Sequence, residues 1–251
     1  MARTSTKAAA TASADAGTEA RATKASSAAA APPRLPTAAR REAAAEVYHR
    51  LSALYPDARC ALDHQGPWQL LCATILSAQC TDVRVNQVTP QLFARWPGPA
   101  ELAAAAQEEV EEVIKSAGFF REKAKSLIGM SDDIARRFGG EVPGAMKELT
   151  TLRGVGRKTA NVIIGVAFGG AGMVVDTHVR RLSNLLGWTG EQDPEKIERD
   201  LMALHPPERW TDLGHALIYH GRNLCPARKP RCAECPVLDL CPAGAARTQD
   251  A

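Results

Sequence analysis

Aromatic residues are scarce in this chain: three Tyr, five Phe and four Trp make up 5% of its 251 residues. No stretch alternates apolar and polar residues for long, so an extensive β-sheet is excluded. Long apolar runs are missing too. The richest, Leu70–Ala78 and Asn161–Phe168, stop well short of the roughly 18 residues that a membrane span requires. No membrane partner is expected. The first 31 residues scatter Arg and Lys among Ala, Ser and Thr and contain no apolar segment of a secretory signal. Nor does one sign of charge dominate, with 31 basic against 28 acidic side chains. Residues 1–40 hold six of the basic and two of the acidic ones, which leaves a slightly acidic remainder. Any nucleic-acid surface must therefore be a local patch.

What the chain does contain is 45% apolar and 24% charged residues, enough for one large core or two modest ones. Residues 1–37 have almost no large apolar side chains and end in Pro32-Pro33 and Pro36, which predicts a disordered Ala/Ser-rich tail on a cytoplasmic protein. Organelle targeting by that tail stays open. From Ala38 onward helical periodicity recurs between Pro- and Gly-marked breaks. Predicted helices include 38–55, 68–80, 120–138, 145–152, 157–168, 177–186 and 194–204. Met173-Val174-Val175 is the one extended candidate. The fold class is all-α, with around ten short helices.

Four of the seven cysteines, Cys225, Cys232, Cys235 and Cys241, fall within 17 residues at spacing C-x6-C-x2-C-x5-C. Two disulfides are disfavoured inside a cell, so the cluster reads as a metal-ligand set. Zinc and a [4Fe–4S] cluster both accept four thiolates. Zinc sites usually pair two short knuckles and this chain has one, which tilts the reading toward iron–sulfur. Between the first two ligands, Arg228, Lys229 and Arg231 sit in a loop stiffened by Pro226 and Pro230. That loop is either a preorganised phosphate grip or a counter-charge to the thiolates.

The stretch Leu152-Arg153-Gly154-Val155-Gly156-Arg157-Lys158-Thr159-Ala160 predicts a tight hairpin between two helices. Glycines 154 and 156 permit positive φ, and Val155 can plug apolar surface. The exposed N–H groups beside a helix N-terminus can hold a phosphate without reading a base. The spacing is too short for a nucleotide-binding P-loop, and no strand precedes it. Lys158 falls in the first turn of an apolar helix, where the helix dipole and desolvation would both favour the neutral, nucleophilic amine. A phosphate-gripping lysine is the other reading. Asp176 is first of all an N-cap for the following helix. Chain length also lets it return, because about 15 Å of helix to Phe168 can be retraced by the seven residues from Gly169, which reach up to about 23 Å.

The hairpin motif, Val175-Asp176-Thr177-His178-Val179, the four-cysteine spacing and Leu76-Ser77-Ala78-Gln79-Cys80-Thr81-Asp82 together resemble the helix–hairpin–helix DNA glycosylases, most closely the bacterial endonuclease III family. The likeness spans about 38–242. It implies two lobes: a six-helix barrel over 60–170 containing the hairpin, and a cluster lobe from 38–59 plus 171–242, with a short tail at 243–251. It implies a monomer acting near the nucleoid on double-stranded DNA that contains oxidised pyrimidines or abasic sites. Lys158 would attack C1′ of a flipped nucleotide, Asp176 would assist, and a Schiff base would lead to β-elimination. The [4Fe–4S] cluster would be structural and would position the Arg228-Lys229-Arg231 loop.

By the same resemblance Gln79 fills the gap left by the extruded nucleotide. Phe119 or Phe120, in Gly118-Phe119-Phe120-Arg121, wedges between bases, and Asp82 and His178 line the cleft. Gly154, Val155, Gly156 and Arg121 would touch the DNA. His215 and His220 read as core histidines. Thr150 stands where similar enzymes have Glu, which puts a proton relay there in doubt. Two other readings compete. An adenine-excising relative would need a carboxylate within 68–81, which has none. A non-catalytic DNA-binding module with a structural metal leaves the lysine–aspartate pair unexplained.

Overall fold

Short helices follow one another, several of them started by a capping side chain or by a proline in the first turn. The computed structural model describes Met1 and residues 37–249, so the expected N-terminal tail lies almost wholly outside the described residues. The helices are α1 Thr37–Leu54, α2 Pro67–Leu76, α3 Asp82–Arg95, α4 Pro99–Ala103, α5 Gln107–Ile114, α6 Phe120–Arg137, α7 Met146–Leu149, α8 Arg157–Val162, α9 Thr177–Leu185, α10 Pro194–Leu204, α11 Trp210–Asn223 and α12 Pro242–Gln249. The all-α expectation holds, and no strand occurs among the described residues.

Local chemistry sets the boundaries. The Thr81 hydroxyl accepts from the Arg84 amide and starts α3. The Asp193 carboxylate accepts from the Glu195 and Lys196 amides, with Pro194 at the first helical position of α10. Three expected boundaries shift. α2 stops at Leu76 instead of Cys80, because Gln79 adopts φ 53 and leaves helical geometry. The helix expected over 145–152 shrinks to α7, and its last residues form the turn into the hairpin. α8 passes at Ile163 into a π-helical turn that ends at Ala167.

Buried side chains form two cores. The first lies between Leu62 and Ile163 and includes Leu71, Leu76, Leu127 and Ile134. The second joins Ala44, Val47 and Leu51 of α1 to Met173, Val179, Trp188, Leu213 and Val237. Most of the short tail expected at 243–251 belongs to α12, which runs to Gln249, and the Gly244 amide donates to Cys241 Sγ at 3.3 Å.

Candidate active site

The hairpin follows directly from its glycines. Gly154 takes φ +75, and a Cβ there would lie 2.8 Å from Ser126 Cβ. Val155 is 5% exposed and plugs the first core. Gly156 differs from expectation: it is extended, with φ −91 and ψ 176, and caps α8. No atom lies within 4 Å of a Cβ placed on it. Glycine at 156 thus serves neither positive φ nor internal packing, and leaves the N-terminus of α8 open to an outside group.

Lys158 is exposed, so burial does not supply the desolvation that the apolar run implied. The buried stripe of this segment runs through Ala160 and Ile163, and Lys158 points off it. Lys158 lies in the first turn of α8, at the positive end of that helix. Its neighbour Arg157 forks onto Glu198 of α10 at 2.7 and 2.8 Å, and the Glu198 side chain is 6% exposed. That pair ties the hairpin helix to the second core.

The chain does return as its length allowed. A Cβ on Gly172 would run into the Asn161 carbonyl, and Val175 lies with Arg157 and Lys158 on one small cavity. Asp176 then caps α9, its Oδ1 accepting from the His178 and Val179 amides at 2.8 Å each. Lys158 and Asp176 share the wall of a cavity of about 140 Å³. Asp82, Thr74, Tyr219 and Arg222 also line it. Arg222 Nη2 lies 3.2 Å from Asp82 Oδ2, joining α11 to the start of α3 across the site. His178 does not reach this cavity and faces a neighbouring groove with Arg180 and Arg181. His215, expected in a core, lies on the Lys158 cavity, and burial pushes its pKa down.

A separate cavity of about 260 Å³ is lined by Gln79, Phe119, Lys123, Ser126 and Gly154. Phe119 is 66% exposed, whereas Phe120 packs on the first core. Arg121 stands over the Phe120 ring at 5.7 Å. Among the described residues only Gln79, Phe119 and Lys229 are non-glycine residues with positive φ. All three are loop tips that the sequence had marked for DNA contact. Arg228 and Lys229 are exposed. Arg231 also holds the loop, donating to the Asn223 carbonyl at 2.8 Å and to Glu234 at 3.1 Å.

All four C-terminal cysteines line one cavity whose wall contains Arg231 and Arg247 and no carboxylate. Arg181 donates to the Cys225 carbonyl at 2.6 Å and lies 3.8 Å from its Sγ. Burial and the neighbouring cysteines raise the thiol pKa values of Cys235 and Cys241. Among the described residues no three His, Cys, Asp or Glu side chains converge on a single ion.

Residues 72–207 match the HhH-GPD superfamily of base excision DNA repair proteins. The chain belongs to that superfamily. Within it, endonuclease III of Synechocystis is 54% identical over 83% of this chain and 96% of its own length. Endonuclease III of Bacillus subtilis is 46% identical over 79% of this chain and 91% of its own. A solved non-covalent endonuclease III–DNA complex superposes with a TM-score of 0.78 at 40% identity, covering 83% of this chain and 98% of that one. A trapped endonuclease III–DNA covalent intermediate gives the same TM-score and coverage. This HhH-GPD chain is thus of the endonuclease III kind. No described helix is long and apolar enough to cross a membrane.

Within the HhH-GPD frame, several site residues carried no sequence signal. Arg222 reaches Asp82 across 140 positions, and Glu198 meets Arg157 across 41. Lys123 did leave a trace, since it interrupts the apolar stripe Phe120, Ala124, Leu127 of α6. Thr150 bonds back to the Met146 carbonyl at 2.9 Å.

Proposed function

We propose that this protein is a bifunctional DNA glycosylase and abasic-site lyase that removes oxidised pyrimidines from double-stranded DNA. The observation that carries the reading is Lys158 and Asp176 on one cavity wall, at the positive end of the hairpin helix. The likeness to a protein solved as a covalent intermediate with DNA supports it.

The chemistry then runs through this chain's own groups. A base inside a duplex hides its C1′, so the nucleotide must leave the stack. The Lys158 amine, having lost a proton, attacks C1′; the C1′–N bond breaks and its electron pair leaves with the base. The Asp176 carboxylate, fixed by two amide donors, stabilises positive charge developing on the sugar. The secondary ammonium so formed gives up a proton, its freed electron pair forms C1′=N as the C1′–O4′ bond opens, and O4′ takes that proton. Loss of a C2′ proton expels the 3′ phosphate oxygen in β-elimination. The N-terminus of α8 and the Arg228-Lys229 tip would hold phosphates of the DNA backbone.

Cys225, Cys232, Cys235 and Cys241 fit a [4Fe–4S] cluster better than zinc. Four cysteines line one carboxylate-free cavity without converging on a single ion, which suits a metal core larger than one ion, and Arg181, Arg231 and Arg247 lie near enough to offset the net negative charge that four thiolate ligands would give it. When bound, the cluster supplies a cross-link that holds the C-terminal loops, and no step of excision passes through it.

Borohydride trapping on a thymine-glycol or abasic duplex tests the mechanism. A covalent complex should form with the intact protein and vanish in Lys158→Gln, which still binds. A Lys158→Gln variant that cuts abasic DNA near the wild-type rate places the nucleophile elsewhere.

A further inference from the structure

The stripe by which α6 enters the first core contains one cation. Lys123 is 5% exposed, between Phe120 and Leu127. A buried ammonium is unfavourable unless its donors are taken up. Here Nζ donates to the Leu76 carbonyl and to the Ala117 carbonyl, each at 2.8 Å. Leu76 closes α2, and Ala117 closes the 3₁₀ turn Lys115–Ala117, so both are helix-end carbonyls of the kind that lack a partner within their own helix. The Lys123 amide also bonds the Phe119 carbonyl at 3.1 Å.

Each of those ends leads straight into a left-handed residue. Gln79 at φ 53 lies three positions after Leu76, and Phe119 at φ 47 lies two after Ala117. Such backbone persists only where its surroundings hold it. Both tips are exposed, and both line the 260 Å³ cavity that Lys123 also lines.

From this juxtaposition we infer that Lys123 is a positioning residue that locks the Gln79 and Phe119 tips to one another, so that they enter a duplex as one unit when a nucleotide leaves the stack. The inference rests on the glycosylase reading above. A helix cap that only stabilised the fold would not have to join two loops that face the same cavity.

The full-length protein is titrated onto a duplex carrying an uncleavable abasic analogue with 2-aminopurine opposite it. Anisotropy reports binding, and 2-aminopurine fluorescence at saturation reports entry of the tips. Wild type should give a clear rise. Lys123→Met, which keeps the chain length and removes the donors, should still reach saturation but lose the rise by at least fivefold, and Lys123→Arg should recover part of it. A folded Lys123→Met with the wild-type rise overturns the inference.

If Lys123→Met does not fold, the exposed tips decide. Gln79→Ala and Phe119→Ala should each remove most of the rise, and the double variant should add less than twofold. Independent, multiplying losses overturn the lock. Because the analogue cannot be cut, this result is separate from the lyase chemistry, whose own failure would show as absent wild-type trapping on an abasic duplex.

Discussion

Replacing Arg157 with Met removes the anchor that joins the hairpin helix to α10. The guanidinium makes two contacts to Glu198, at 2.8 Å from Nε and 2.7 Å from Nη2. Glu198 is 6% exposed, so the substitution strands a carboxylate almost out of water, while Arg157 itself keeps 40% exposure. A fully buried pair broken on one side costs about 3–5 kcal/mol; solvent at the arginine reduces this, and about 2–3 kcal/mol is expected. For a chain of this size that lowers the melting temperature by roughly 5–10 °C. Urea denaturation of the single variants and of the double Arg157→Met/Glu198→Met measures it. The double variant should recover most of the loss, since no charge is left buried. Lys158 follows Arg157 in the same turn, so trapping should slow by about ten- to hundredfold in the single variant. A single-variant cost below about 0.5 kcal/mol, or a double variant no more stable than the single, refutes the buried-pair argument.

Further outcomes follow from other contacts. His205 is 3% exposed against Trp188, and burial with Arg209 nearby holds its pKa down to about 4. A depressed histidine stabilises the fold fully above pH 6.5 and loses that contribution as pH falls toward 4; the gap is worth about 3 kcal/mol at 1.36 kcal/mol per pH unit. His205→Phe should shrink the stability difference between pH 7 and 4.5 by about 2.5 kcal/mol, and parallel pH curves for the two proteins would count against it. Gly172→Ala drives a Cβ into the Asn161 carbonyl and should cost about 2–4 kcal/mol with loss of trapping. Gly156→Ala meets no atom of the protein, so its stability should stay within about 1 kcal/mol of wild type while duplex binding weakens; unchanged binding would argue against a phosphate at that helix end. Purified protein should show broad visible absorption with iron and acid-labile sulfide, lost in Cys235→Ser, whereas a colourless zinc protein would refute the cluster assignment.

Much of this was legible along the chain because the signals are local. Pro194 and Asp193 fix α10 at its predicted bounds, and Gly154-Val155-Gly156 fixes the hairpin. Asp176 shows its capping role in type and position alone. The failures are equally physical. An apolar run after Lys158 promised burial, but burial belongs to the face that Ala160 and Ile163 share, and Lys158 lies off it. The cationic loop between Cys225 and Cys232 was legible, but not that Arg231 also bonds Asn223 and Glu234 on either side of that stretch. Arg157–Glu198 and Asp82–Arg222 are set by the meeting of distant elements, which no local pattern encodes.

The second core joins α1 to residues that come far later, notably Leu213 and Leu217 of α11. During synthesis at roughly 5–20 residues per second, Ala44, Val47 and Leu51 therefore wait on the order of ten to thirty seconds for their partners. The intervening segment, 62–163, has its own core and can be finished first. A ribosome that stalls before α11 leaves a completed first core with the Ala44, Val47 and Leu51 stripe of α1 uncovered, a species for chaperones to shield.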